Sequence, residues 1–283
     1  MFLARTILTV LLVSAVGGLF WMDHALDTGV GFFITILCAV VLSVQEFYHL
    51  VGRKGYTPYA IWGTLCAALM VSADWLGYLK VLPQLHPMGI VAFVFLGGLF
   101  VLQGFLRPRR EGLVSMSLTA FAIVYVWGLG HFVLKLRYYE PALVGIRGVL
   151  LLIAVVKAND IVAYLVGRSF GRHHPFPRVS PKKSWEGYLG GLVGSVLAAV
   201  MCGWALFEGM TWPMALIFAV PVCVFGNLGD LMESVIKRDL TAKDSAGTFP
   251  GLGGVLDVVD SVLLAGPVAF YILEQMVIMG YLS

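Results

Sequence analysis

The sequence predicts an all-α, polytopic membrane protein with about nine transmembrane helices, its N-terminus cytoplasmic and its C-terminus on the opposite side. Three observations predict it. Of 283 residues, 59% are apolar and only 12% charged, against roughly a quarter charged in soluble domains. Apolar runs of about 20 residues recur along the chain, each able to cross a hydrocarbon core of about 30 Å as a helix. Lys and Arg gather in alternate loops, as they do on the cytoplasmic side of membrane proteins. Backbone groups in lipid must bond within their own segment, so the runs are read as a helical bundle. No linker, low-complexity tract or clear internal repeat interrupts them. Residues 1–283 are therefore read as one integral membrane domain, with N-terminal spans in 1–146 and the chemistry-bearing spans and loops in 147–283.

The first run, residues 4–22, follows the pattern of a signal peptide as well as of a span. Because the rest of the chain is itself membrane-spanning, it is read as a span. The second, 29–50, ends in Gln45, Glu46 and His49, a helical stripe read as polar groups at the water boundary. Arg53 and Lys54 then mark a turn. Runs three and four, 59–72 and 88–106, are separated by Asp74, Lys80 and the breakers Pro83 and Pro87. Arg107, Arg109 and Arg110 stop the fourth. Run five covers 113–134 and run six 147–166. Run seven, 185–207, opens with Gly187, Gly190, Gly191 and Gly194, spaced for close helix packing. Runs eight and nine cover 212 to about 228 and 255–282.

Charge placement sets the topology. Arg5; Arg53 and Lys54; Arg107, Arg109 and Arg110; the 168–184 loop; and Lys237, Arg238 and Lys243 fall on one side, against only Lys80, Lys135, Arg137 and Arg147 on the other. The first set is read as cytoplasmic. A net charge of +3, without an aromatic-interleaved basic stripe, is too small to argue for nucleic acid, and none is expected as a partner. Cys38, Cys66, Cys202 and Cys223 stand singly in apolar runs and are read as small buried hydrophobes, not as metal ligands or disulfides.

Three segments carry chemistry. Run six holds Lys157, Asn159 and Asp160 well inside an apolar span. Each charge costs about 2.5–3.5 kcal/mol at bilayer depth, so the two must pair or face water. Asp160, Tyr164 and Arg168 also share a stripe, which favours a polar cavity. The loop 168–184 holds Arg168, Arg172, Arg178, Lys182 and Lys183 and no acid, which invites anions. Ser184 is placed to cap the next helix, with Glu186 in its first turn.

The third segment, 226–261, is framed by Asp230, Asp257 and Asp260, with Lys237, Arg238, Lys243 and Asp244 between them. Asp257 and Asp260 leave one face of a helix start. Asn227, Asp230 and Ser234 form another polar stripe. Magnesium takes typically one or two protein carboxylates, water and substrate phosphate, which suits aspartates set beside cations. The turn around Gly253 and Gly254 offers backbone amides and a helix N-terminus to an anion.

Ser234, Ile236, Lys237, Arg238, Lys243, Asp244, Ala246, Phe249, Pro250, Gly253, Gly254, Val255, Asp257, Val259 and Asp260 keep the order and spacing of the phosphatidate cytidylyltransferase (CDP-diglyceride synthetase) signature. The chain resembles that family over roughly residues 155–265. Asp160, Ala163 and Tyr164 resemble its Asp-x-x-Ala-Tyr segment, and 180–187 its Ser-Pro-Lys-Lys-Thr-x-Glu-Gly element, with Ser184 for Thr. Leu252 stands where the family has His, and Val258 where it has Arg.

The resemblance implies transfer of a cytidylyl group from CTP to phosphatidic acid, giving CDP-diacylglycerol and pyrophosphate in phospholipid biosynthesis. Asp230, Asp257, Lys243 and Asp244 are the expected catalytic residues. Asp160, Ser180, Lys182, Lys183, Ser234, Lys237, Arg238, Gly253 and Gly254 are expected to bind substrate. Asp230, Asp257 and Asp260 are expected to hold one or two Mg2+ ions, a monovalent second cation being an alternative. The expected partners are CTP, phosphatidic acid and the bilayer, with a homodimer a further option. A bacterial inner membrane, with the site facing the cytoplasm, is the expected location. Two other readings stay open: an ion-coupled transporter using Lys157 and Asp160, and a related membrane enzyme acting on another nucleotide, lipid phosphate or polyprenol.

Overall fold

The structure, a computed structural model, describes residues 23, 29–80, 87–140, 142–242, 245 and 253–282. Run one, residues 4–22, lies outside them. In order the helices are α1 (Val30–Arg53), α2 (Ala60–Tyr78), α3 (Pro87–Val101), α4 (Gly112–Ala122), α5 (Gly128–Arg137), α6 (Ala142–Phe170), α7 (Trp185–Leu206), α8 (Trp212–Asp239) and α9 (Val255–Ile278). A π-turn, Leu102–Leu106, prolongs α3, and another, Ile123–Trp127, joins α4 to α5. Eight segments among the described residues are long and apolar enough to cross a membrane, matching runs two to nine. The protein is an all-helical, polytopic membrane protein.

Two compact units divide the chain: Met1–Leu134 with Asp239–Val259, and Lys135–Arg238 with Asp260–Ser283. In the first, α1 starts where the Asp23 carboxylate accepts the backbone N–H groups of Gly31 (2.6 Å) and Phe32 (2.7 Å), satisfying two of the donors every helix start leaves open. Thr119 of α4 is the polar knot of this unit. Its carbonyl accepts from the Tyr48 hydroxyl at 3.0 Å and its hydroxyl accepts from the Tyr59 N–H at 2.8 Å. Val44, Phe47, Val51, Ala67, Val71 and Ala122 are among the buried apolar residues of the same unit.

In the second unit, α6 and α7 pack along their length, as the glycine spacing predicts. A side chain on Gly187 would press on the Ala163 carbonyl, and one on Gly191 would strike Asn159 Oδ1. Backbone approach is therefore what these glycines supply. The Ser195 hydroxyl adds a bond to the Val155 carbonyl at 3.2 Å. Between α8 and α9, a Cβ on Gly229 would lie 2.5 Å from the Asp260 carbonyl oxygen. Helix α8 runs on well past residue 228, to Asp239, so Asp230, Ser234, Lys237 and Arg238 lie on a helix. Bonds at helical spacing continue it: Lys237 to Glu233 at 2.6 Å and Ser234 to Asp230 at 3.4 Å.

Candidate active site

A cavity of about 500 Å³ opens in the second unit. Helix α6 contributes Asn159, Asp160, Tyr164 and Arg168. The loop after it brings Ser180, Lys182, Lys183 and Ser184, and α8 adds Asn227 and Asp230. Five predicted site residues, Asp160, Ser180, Lys182, Lys183 and Asp230, thus meet on one wall-to-wall lining.

Local sequence explains how each is held. Ser184 caps α7, accepting the Gly187 N–H at 3.1 Å, as predicted. Glu186 does more than suit the helix dipole. It accepts the N–H groups of Arg172 (3.1 Å) and His173 (3.3 Å) and meets His173 Nδ1 at 2.6 Å, so it folds the basic loop back onto α7. The far end of the loop is held by Arg238, whose Nε donates to the Val179 carbonyl at 3.1 Å. The loop is therefore shaped at three points and delivers Lys182 and Lys183 to the cavity.

Lys183 pairs with Asp230, both partly exposed to the cavity. Lys157 pairs with Asp160 at 3.5 Å, and Asp160 also lines the cavity, so the intramembrane charges are paired, one of the two ways of avoiding their desolvation cost. Asn159 is buried and donates to Asp160 Oδ1 (3.3 Å) and Asn227 Oδ1 (3.0 Å), while Cys223 Sγ lies 3.2 Å from its amide oxygen. This amide pair fixes the two helices that carry Asp160 and Asp230. Arg168 donates to the Tyr164 hydroxyl at 3.1 Å on the predicted stripe.

The remaining predicted residues are placed as follows. Asp260 is buried in the second unit, its carboxylate accepting the Ser261 N–H. Ser234 reaches Asp230, and Lys237 is bound to the buried Glu233. Asp257, Gly253 and Gly254 belong to the first unit. There Asp257 Oδ2 accepts the Gly254 N–H (2.6 Å), the Ser245 N–H (3.0 Å) and the Ser245 hydroxyl (2.7 Å). Lys243, Asp244 and Leu252 lie outside the described residues. Among the described residues no three His, Cys, Asp or Glu side chains form a ready-made metal cage; magnesium asks for fewer, typically one or two carboxylates.

Three sequence readings change. Glu46 was expected at the water boundary with Gln45 and His49; those two are exposed, but Glu46 is buried. It accepts the N–H groups of Val255 and Leu256, each at 2.9 Å. The amides of the 253–256 turn, expected to be open to a substrate anion, are thus bonded at Gly254, Val255 and Leu256 by the protein's own carboxylates. The signal for Glu46 was the same as for Asp160, an acid inside an apolar run, but its position near the end of the run favoured the boundary reading. Cys38 is exposed and Cys202 half-buried, while Cys66 and Cys223 are buried as expected.

Paired lysines facing two carboxylates in one cavity can bind phosphate and hold a cation beside it. Comparison with known proteins bears on which phosphates. The Cytidylyltransferase family model matches residues 3–276. The chain is 32% identical over 273 residues to phosphatidate cytidylyltransferase 5, chloroplastic, of Arabidopsis thaliana, covering 84% of this chain and 65% of that protein. With the phosphatidate cytidylyltransferase of Mycobacterium bovis it shares 35% over 192 residues, 65% of this chain and 61% of the relative. With that of Staphylococcus epidermidis it shares 27% over 252 residues, 87% and 92%. The chain spans just under two thirds of the plant and mycobacterial relatives and nearly all of the staphylococcal one.

Proposed function

Because the chain belongs to the Cytidylyltransferase family, we propose that it is a phosphatidate cytidylyltransferase, converting CTP and phosphatidic acid to CDP-diacylglycerol and pyrophosphate. The observation that carries this reading is the cavity in which Lys182 and Lys183 face Asp160 and Asp230. A phosphatidate oxygen attacks the α-phosphorus of CTP, and the bond from that phosphorus to the bridging oxygen of the leaving pyrophosphate breaks. A phosphate monoester is largely dianionic at neutral pH, its second pKa being about 6, so no strong general base is required. The obstacle is repulsion between two anions, which Lys182 and Lys183 offset as mobile point charges. Asp160 and Ser180, on the same cavity lining, support the substrate or its cation.

Magnesium belongs to this proposal. The donor set fits it: Asp230 faces the cavity and already carries a cation, the Lys183 ammonium, against its carboxylate. Asp230 and Asp260 are the carboxylates of the second unit that would hold the ion, which when bound neutralises charge on the reacting phosphates. Asp257, Lys243 and Asp244 enter the proposal through their places in the signature. Location in a bacterial inner membrane, with this cavity toward the cytoplasm, is supported by the alternation of Lys and Arg along the chain and by bacterial relatives.

The test is incubation of purified full-length protein in vesicles with labelled CTP, phosphatidic acid and magnesium. Labelled CDP-lipid is the expected product, lost on chelation and restored by added magnesium. Transfer from ATP but not CTP would overturn the substrate assignment.

A further inference from the structure

We propose that Glu46, on α1, is a positioning residue for this reaction: it grips the first turn of α9 and so sets the place of Asp257. The inference rests on the proposed function only in taking Asp257 to be catalytic. The grip itself is a matter of geometry. Glu46 is 6% exposed, and both its oxygens are bonded, Oε1 to the Val255 N–H and Oε2 to the Leu256 N–H, at 2.9 Å each. These are first-turn amides that the helix itself leaves without acceptors. The helix start carries partial positive charge, so a carboxylate there is favoured twice over, by bonds and by the dipole.

Ser245 ties this grip to Asp257. Its hydroxyl lies 3.2 Å from Glu46 Oε2 and 2.7 Å from Asp257 Oδ2, and its N–H reaches the same Asp257 oxygen at 3.0 Å. One hydroxyl carries one proton, and the shorter contact assigns it to Asp257. Gly254 closes the arrangement from the third side. Its N–H donates to Asp257 Oδ2 at 2.6 Å, and a Cβ on it would run into Ser245 Oγ and Glu46 Oε2. The two carboxylates thus share one set of donors over residues 245 and 254–256. Since both Glu46 oxygens serve the backbone, its influence on substrate passes through Asp257. A residue about two hundred positions away from the signature is therefore part of what makes the signature work.

The test uses full-length protein in vesicles with Glu46→Gln, and Gly254→Ala as a second variant that forces the same grip open from the other side. A Gln keeps one acceptor but turns an NH2 toward the other donor. Supporting residues of this kind typically change activity by about 10–100-fold. The expected result is a kcat lower by that factor in both variants, with the KM for CTP within about twofold in Glu46→Gln, which leaves every residue expected to bind substrate in place. Hydrogen exchange at the 254–257 amides should quicken while the rest of the spans stay protected. In an Asp257→Asn background, Glu46→Gln should add little further loss, because its route to the reaction is already gone. Parental kcat in both variants, unchanged exchange, or full multiplication of the two losses would each overturn the inference. If the unsubstituted protein makes no CDP-lipid, the proposed function fails on that result, and the exchange measurement still decides the grip.

Discussion

Replacing Lys237 by Met tests one buried ion pair and its part in stabilising the end of α8. The Lys237 ammonium lies 2.6 Å from Glu233 Oε2, and the two side chains are 12% and 1% exposed. At an effective dielectric of about 20, a pair at this distance attracts by about 6 kcal/mol before desolvation is subtracted. Removing one member of such a pair leaves the other's charge buried without its counter-ion, which typically costs about 3–5 kcal/mol. At roughly 2–4 °C per kcal/mol for chains of about 150–250 residues, a loss of about 3 kcal/mol lowers the melting temperature by about 6–12 °C. Replacing both members together, Glu233→Gln with Lys237→Met, removes the uncompensated charge and should recover most of that loss. The assay is intrinsic tryptophan fluorescence on heating, in detergent, for the parent, the single variant and the double. A double variant no more stable than Lys237→Met would refute the reasoning. If the double variant is stable yet its KM for CTP rises several-fold, Lys237 also contacts substrate, as its place in the signature implies.

Two further outcomes follow from the cavity. Lys183→Ala removes the cation paired with Asp230 and, with it, neutralisation of the reacting phosphates; CDP-lipid formation should fall by about 100-fold or more, on the scale of losing one electrostatic stabiliser, with the melting temperature within a few degrees of the parent. Steady-state rates beside a melting curve check this, and a rate within threefold of the parent would refute it. Gly191→Ala places a methyl against Asn159, which holds α6 to α8 through Asn227. Overpacking of this kind costs about 1–3 kcal/mol, so both melting temperature and activity should drop, and Gly191→Ala with Asn159→Ser should regain stability.

Much of the fold is legible in the sequence. Run lengths and the apolar excess required membrane-spanning helices, because lipid offers the backbone no other partner. The seventh run's glycines announced a close helix crossing, and an acid and a lysine three residues apart inside a span announced a pair or a polar cavity. Both features are present, Lys157 with Asp160 and the cavity lined by Asp160. Ser184 as a cap was readable because capping is decided within three residues of chain.

What sequence order could not contain is who meets whom across long separations. Composition alone determined that this chain lives in a bilayer, and local spacing determined which stretches are helical and which side chains share a stripe. Only the tertiary structure decided that Glu46 closes the start of α9, that Lys183 rather than a neighbouring cation lies against Asp230, and that Ser245 lies between Glu46 and Asp257. The physical reason is that hydrophobic burial follows residue type and period, whereas a hydrogen bond or ion pair depends on where two particular atoms are brought, to within a few tenths of an ångström, by everything packed between them.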